Sequence, residues 1–226
     1  RDFLKNAAAF SSVTILPSSA WALVKNSKLR TAHIGVGGMM GMADLKSFSS
    51  HPRVEVTALV DVDATYLAAA KELFPTAKTF RDYRKMFDKI GKHIDAVCVC
   101  TPDHTHAPAS LMAMEMGKPV YCQKPLTHHV SEARAMKKLA ADKKLITQMG
   151  IQCHSSDMYR QAVTLIQDGI IGKVSCVKAW SPKNWGYDGP SPTGSDPVPE
   201  TLDWNLWLGT SPERPYKKDV YHPHNW

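Results

Sequence analysis

From residue 29 onward the chain alternates short, nearly continuous apolar runs with amphipathic stretches. The runs are TAHIGVG (31–37), VEVTALVD (54–61), DAVCVC (95–100), KPVYCQ (118–123) and LITQMG (145–150), with a weaker one, TAKTF, at 76–80. Their length and apolar content predict strands buried on both faces. Helical periodicity lies between them, at 39–50, 63–74, 82–90, 105–117 and 129–143. In the last of these, Val130, Ala133, Met136, Lys137 and Ala140 recur at the helical period while Ser131, Glu132, Arg134 and Lys138 face out. Buried strands in regular alternation with helices predict a parallel sheet covered on both sides. Right-handed crossovers then make it a doubly wound α/β fold of the Rossmann kind.

After residue 150 the pattern changes. Met158, Ala162, Leu165 and Ile166 share a face and predict a helix over 156–168, closed by Asp168-Gly169. GKVSCVKAW (172–180) alternates with period two and predicts a strand. A loop rich in Pro, Gly and Ser (181–200) follows, then TLDWNLWLG (201–209), whose Trp204 and Trp207 are expected in a core, then a tail rich in Pro, His and Trp. One strand cannot make a stable sheet. Residues 29–150 therefore read as one complete domain and 151–226 as the opening of a second, incomplete one, in a chain expected to be truncated at both ends.

Composition adds bounds. At 226 residues and 43% apolar, the chain can bury a real core. No run of 18 apolar residues occurs, so no membrane span is expected. The net charge of +7 is uneven: Arg1, Lys5, Lys25 and Lys28 against Asp2 give residues 1–28 a charge of +3, which leaves +4 for the rest. With no arginine-rich stripe, nucleic-acid binding is not expected. RDFLKNAAAFSSVTILPSSAWA has a charged start, a mildly apolar middle and Ala20-Trp21-Ala22 as a cleavage-like site. Arg1 to Lys5 resemble the second half of a twin-arginine export signal. Residues 1–28 are thus expected to be a leader and linker that take a folded protein to the periplasm; an ordinary N-terminal helix on a cytoplasmic protein is the other reading. Cys98, Cys100, Cys122, Cys153 and Cys176 lack zinc-ligand spacing and are expected to be small core residues. Cys98 and Cys100, two apart on one strand, are poorly placed for a mutual disulfide.

The candidate chemistry sits at strand ends. Gly35-Val36-Gly37-Gly38-Met39-Met40-Gly41 follows the first strand and opens the first helix. In a dinucleotide fingerprint the first glycine permits the tight turn, and the second lets the backbone approach a pyrophosphate resting on the helix N-terminus. The third glycine is due at 40, where Met40 stands, which weakens the expected helix–strand contact. Asp61 ends the second strand 24 residues after Gly37, near the spacing of an acid that bonds ribose hydroxyls. A carboxylate there repels a 2′-phosphate, so NAD is favoured over NADP. The fourth strand ends at Thr101-Pro102 and the fifth at Gln123-Lys124, on the same carboxyl edge as the glycines, where open parallel sheets bind ligands. Pro125 restricts Lys124 to extended backbone. Desolvated beside a nucleotide, Lys124 could pass a proton; kept charged, it would polarise a hydroxyl.

Taken together, Gly35-x-Gly37, DAVCVCTPDHTHAP (95–108) and Gln123-Lys124-Pro125 resemble the glucose–fructose oxidoreductase/inositol dehydrogenase/MocA family from about residue 31 to the end of the chain. GIQCHSS, AVTLIQDGIIGKV and LDWNLWLG look like its exported bacterial members. The resemblance implies a Rossmann domain followed by an open-faced α/β sheet domain, bound NAD(P), a sugar or cyclitol substrate, and a homo-oligomer at full length. Lys124 falls on the family's E-K-P lysine, which contacts the nicotinamide ribose and the substrate hydroxyl. Thr101, Pro102 and His106 fall on its T-P-x-x-x-H segment beside the nicotinamide. Two departures stand out. Gln123 replaces the glutamate of E-K-P, which removes a negative charge next to Lys124. The catalytic Asp-x-x-x-His is not matched: Asp219 and His222 have the wrong spacing, and the pair is expected beyond Trp226.

Gln152 and His154 follow the last strand of the first domain, where the chain enters the second. They are candidates for cofactor contact and for catalysis respectively, or are hinge residues. His104 and His106 lack a third ligand, so no metal is expected. The residues expected at the cofactor are Gly35, Gly37, Gly38, Met39, Met40, Asp61, Thr101, Pro102, His106, Gln123, Lys124 and Gln152; those expected in catalysis are Lys124 and His154. The leading expectation is hydride transfer between a sugar or cyclitol carbon and NAD. Its rivals are an NAD-dependent glycosidase acting by transient oxidation and a non-catalytic sugar-binding relative.

Overall fold

The computed structural model describes residues 28–182 and 189–221. The leader expected at 1–28 lies outside the described residues except for Lys28, as does His222. Each apolar run becomes a strand: β1 (Leu29–Ile34), β2 (Val54–Val60), β3 (Lys78–Phe80), β4 (Ala96–Val99), β5 (Val120–Gln123) and β6 (Thr147–Gly150). The helices are α1 (Gly38–Ser49), α2 (Ala64–Leu73), α3 (Tyr83–Ile90), α4 (His106–Glu115), α5 (Val130–Asp142), α6 (Asp157–Gln167) and a short α7 (Trp204–Leu208). Local chemistry sets several starts. The Asp63 and Asp82 side chains accept from Thr65 N and Arg84 N, and Glu132 accepts from the His128 and His129 amides ahead of α5.

The sheet order is β3-β2-β1-β4-β5-β6 and every pairing is parallel. Strand order reverses between β1 and β4, which creates the switch point where ligands bind in doubly wound sheets. The period of two sorts side chains to the two faces. Ala32, Ile34, Val97, Val99, Val120 and Cys122 meet Met86, Phe87 and Ile90 of α3 and residues of α4 and α5 in one apolar cluster. The opposite face packs Val56, Leu59 and Ala77 against Leu45 of α1 and Ala70 of α2. In the middle of the sheet, however, this second face is polar: Thr31, His33 and Gln123 are all buried there.

Beyond β6 three expectations need correction. Residues 172–180 form no strand, and Val174, Val177, Trp180 and Cys176 are exposed. Alternation decides which way side chains point, but a strand also needs a ladder partner for its amides and carbonyls, and none lies among the described residues. Helix α6 does form, with Met158, Leu165 and Ile166 exposed along it. Cys153 is exposed too, so the core role expected of all five cysteines holds only for Cys98 and Cys122, with Cys100 partly covered.

The tryptophan segment folds back on the first domain. Ala64 N donates to Thr201 O, Asp203 N to Val62 O, and His104 Nε2 lies 2.9 Å from Trp207 O. Trp204 and Trp207 stack at 4.8 Å and are half-buried, not core. No helix among the described residues is long and apolar enough to cross a membrane.

Candidate nucleotide and substrate site

Strand register brings the candidate motifs to one edge. Ile34 pairs with Val60 and Val99, Val99 with Cys122, and Gln123 with Gly150. The residues that follow are therefore neighbours along the carboxyl rim: Gly35, Asp61, Cys100-Thr101, Lys124 and Ile151-Gln152. The parallel ladder runs on into this rim, with Gly35 N donating to Val60 O and Cys100 N to Ile34 O, each at 2.8 Å.

The glycine turn is built by close approach. Gly35 has φ +81°, and a Cβ there would sit 2.7 Å from the Cys100 carbonyl and the Thr101 nitrogen. The helix–strand contact expected of a third glycine is made one residue later than expected: a Cβ on Gly41 would lie 2.5 Å from Gly35 O. Met40 thus occurs in the first turn of α1 without separating helix from strand. Tyr66, which the sequence did not single out, lies over Gly37, where a Cβ would meet its ring at 2.2 Å.

Asp61 is nearly buried and turned onto this turn. Its Oδ2 accepts from Val36 N at 3.0 Å and Gly37 N at 2.9 Å, and its Oδ1 accepts from Asp63 N at 2.9 Å. Burial raises its pKa, against the pull of the three amides. Gly37 caps α1 without a side-chain hydrogen bond, and the first turn of α1 carries no acidic residue. With the 36 and 37 amides held by Asp61, the first-turn amides of α1 are left to an anion, as a pyrophosphate requires.

On the other side of the switch point, the Lys124–Pro125 peptide is cis. Lys124 is exposed, and its ammonium makes no hydrogen bond or ion pair among the described residues. Gln123 is 3% exposed. Its Nε2 donates to Asp44 Oδ2 at 2.6 Å and its Oε1 accepts from Lys124 N at 3.1 Å. Asp44, on α1, also accepts from the Cys100 thiol at 3.1 Å, and Cys100 Sγ lies 3.6 Å from Cys98 Sγ. The hydrogen bond with Cys98, with burial behind it, pushes the Cys100 thiol far up, so it stays protonated. Asp44, Cys98 and Cys100 are also a trio of potential metal-ligand atoms within 4.8 Å of one another. The Asp44 oxygen is already committed to Gln123 and Cys100, so the trio is a hydrogen-bonded cluster as it stands. Its sequence signal was available: Asp44 is three residues after Gly41 and one before Leu45, both buried, so the helical period turns it inward.

His106, expected beside the nicotinamide, is 1% exposed, and its Nδ1 and Nε2 each lie 2.7 Å from a backbone oxygen, of Pro125 and Thr101. It ties the loop after β4 to the loop after β5, with both ring nitrogens engaged. Thr101 presents the opposite case, since its Oγ1 is covered and unpartnered among the described residues. Gln152 reaches Met40, Nε2 to Sδ at 3.6 Å, and so belongs to the rim; Met39 is exposed beside it. His154 does not join the cluster but stacks on Tyr159 at 4.9 Å. A cavity of 1120 Å³, lined by Leu29, Arg30, Phe48, His51, Val54 and Asp95, opens at the opposite, amino edge of the sheet and is remote from this chemistry.

An uncapped helix N-terminus, a glycine turn that no side chain could enter, and an acid at the end of the second strand define a dinucleotide-binding Rossmann domain. Residues 29–151 match the Gfo/Idh/MocA oxidoreductase family, NAD-binding Rossmann fold. The chain belongs to that family. Inositol 2-dehydrogenase of Rhodococcus jostii is 34% identical over 152 residues, 66% of this chain and 40% of that protein. A glycosyl hydrolase family 109 protein of Stenotrophomonas maltophilia is 34% identical over 135 residues, 54% of this chain and 29% of that one. The crystal structure of myo-inositol 2-dehydrogenase from Lactobacillus plantarum superposes with a TM-score of 0.61 at 29% identity, covering 66% of this chain and 43% of that one. The chain therefore spans less than half the length of these relatives.

Proposed function

We propose that this chain carries the cofactor half of an NAD-dependent oxidoreductase acting on a hydroxyl-bearing carbon of a sugar or cyclitol. One observation carries the reading: the glycine turn, Asp61, Thr101 and Lys124 share one rim of one sheet across its switch point. The first-turn amides of α1 would hold the pyrophosphate, Asp61 would meet the adenosine ribose while bracing the turn, and the Thr101 hydroxyl would gain the partner it lacks. When bound, the nicotinamide supplies the hydride acceptor. Lys124, exposed and unpaired, would hold the substrate hydroxyl and take or polarise its proton. Sequence outside these residues is proposed to supply the Asp/His pair and the surface for a homo-oligomer.

The test is calorimetry with NAD and NADP on the full-length protein and on Asp61→Ala. NAD is expected to bind the parent more tightly than NADP, and Asp61→Ala to lose that preference. A parent that binds neither nucleotide ends the reading.

A second reading is favoured by the family 109 relative: oxidation at a sugar carbon is transient and the net reaction is cleavage of a glycosidic bond. It expects glycoside turnover with no accumulation of NADH, and steady growth of absorbance at 340 nm would reject it. Export by the twin-arginine-like leader belongs to either reading; fractionation of a bacterium expressing the protein tests it, with recovery in the cytoplasm alone as the contrary result.

A further inference from the structure

Gln123 stands where the E-K-P motif has glutamate, and Asp44 stands opposite it. The two residues are 79 positions apart in sequence, on β5 and α1, and are 3% and 7% exposed. The 2.6 Å bond between them fixes which way the amide points, because only Nε2 can face a carboxylate. Oε1 is thereby aimed at the Lys124 N–H. The amide also lies close over Gly150, where a Cβ would sit 2.8 Å from Gln123 Cδ and from the Tyr121 hydroxyl, so a side chain at 150 would push it off Asp44. A glutamate at 123 would set two buried carboxylates at hydrogen-bond distance, and like charges so close cannot both ionise. The glutamine is therefore matched to Asp44 and is not a simple loss of charge.

We propose that Asp44 is a positioning residue for Lys124, acting through Gln123: a buried carboxylate on helix α1 orients the amide at the end of β5, and that amide holds the backbone from which the lysine projects. The inference rests on the reading of Lys124 as the site's reacting cation. It also links the helix that receives the pyrophosphate, through Gly41 and Asp44 on α1, to the residue that meets the substrate. The titratable groups facing Asp44 are the Cys98 thiol on β4, the Cys100 thiol just after it and the Tyr121 phenol on β5.

The experiment is a substitution cycle in the full-length protein: Asp44→Asn, Gln123→Glu, and both together. Each single variant is expected to lower the Tm at pH 7 by about 4–10 °C. Gln123→Glu should recover as pH falls toward 5. Its paired carboxylates keep a proton that the unfolded chain has released, so the folded state gains at the acid side. In the double variant the amide and carboxylate have changed places, and the Tm should return to within about 2 °C of the parent. In steady-state assays with NAD and a polyol, Asp44→Asn should lose about 10-fold in kcat with KM for NAD within about 2-fold, and the double variant should regain it. Should Gln123→Glu alone fail to fold, its rescue by Asp44→Asn is the same supporting result. Additive Tm losses overturn the exchange; an Asp44→Asn enzyme with parental kcat overturns the positioning role. A parent without turnover defeats the hydride-transfer reading and the positioning role with it, while the Tm cycle still decides the exchange.

Discussion

Replacing Asp61 by asparagine keeps the shape of the side chain and changes only what it can accept. The carboxylate takes three backbone N–H bonds, two at Oδ2 from Val36 and Gly37 and one at Oδ1 from Asp63. The single amide oxygen can keep the first two, weakened from charge-assisted to neutral, at a loss of about 1 kcal/mol each. The NH₂ then faces the Asp63 N–H, donor against donor, and a stranded buried N–H costs about 1–3 kcal/mol. Removing a charge whose burial is unfavourable, as the raised pKa of Asp61 shows, returns part of this. The net expectation is a loss of about 2–3 kcal/mol, or a Tm lower by roughly 4–10 °C for a chain of this size. Circular dichroism melts at pH 7 measure it. Because the glycine turn is held by the same bonds, the NAD Kd from calorimetry should weaken at least about 10-fold, well beyond any change in the folded fraction at 15 °C. If Asp61→Asn melts within about 1 °C of the parent and binds NAD equally well, the carboxylate does not brace the turn, and the account of this site is wrong.

Burial lowers the pKa of His33 to about 4, so the folded protein holds it neutral while the unfolded chain protonates it near 6.5. Its contribution is complete above pH 6.5 and is lost as pH falls toward 4, by about 3 kcal/mol at the acid end, and urea titrations of His33→Gln should lack that slope. Gly35→Ala combines a φ of +81° with a Cβ 2.7 Å from backbone and should cost about 3 kcal/mol or more by urea unfolding. Gly41→Ala reverses the usual sign of a glycine-to-alanine change in a helix: the roughly 1 kcal/mol propensity gain is outweighed by a Cβ 2.5 Å from Gly35 O, and a stabilised variant would refute the close packing. Lys124→Met should leave the Tm unchanged, since the exposed ammonium holds nothing in the fold, yet lower kcat by about 100-fold or more.

The strands and helices up to residue 150 were legible because each signal is local. Continuous apolar runs, helical periods and glycine turns lie within about a dozen residues of chain. The rim motifs were legible for a related reason, since a parallel sheet with short connections must bring its strand ends to one edge. The segment at 172–180 shows the limit. Its alternation was real, but strand formation is settled by a partner, and periodicity carries no information about one. His106 shows another limit: the resemblance that set it beside the nicotinamide says nothing about the two carbonyls, of Thr101 and Pro125, that lie against its ring nitrogens.

By itself, the order of residues determined the layout of the first domain and the set of strand-end groups from which a nucleotide site could be drawn, because backbone sterics and apolar burial act over short stretches and leave a readable period. Only the tertiary structure decided how those groups are employed: that Asp61 turns inward onto the glycine turn, that Gly41 and not residue 40 lets α1 touch β1, and that Asp44 reaches across 79 residues to set the amide of Gln123. Those outcomes rest on distances of 2.5–3 Å between elements remote in sequence, and hydrogen bonds and steric contacts that short exist only once the sheet has been assembled.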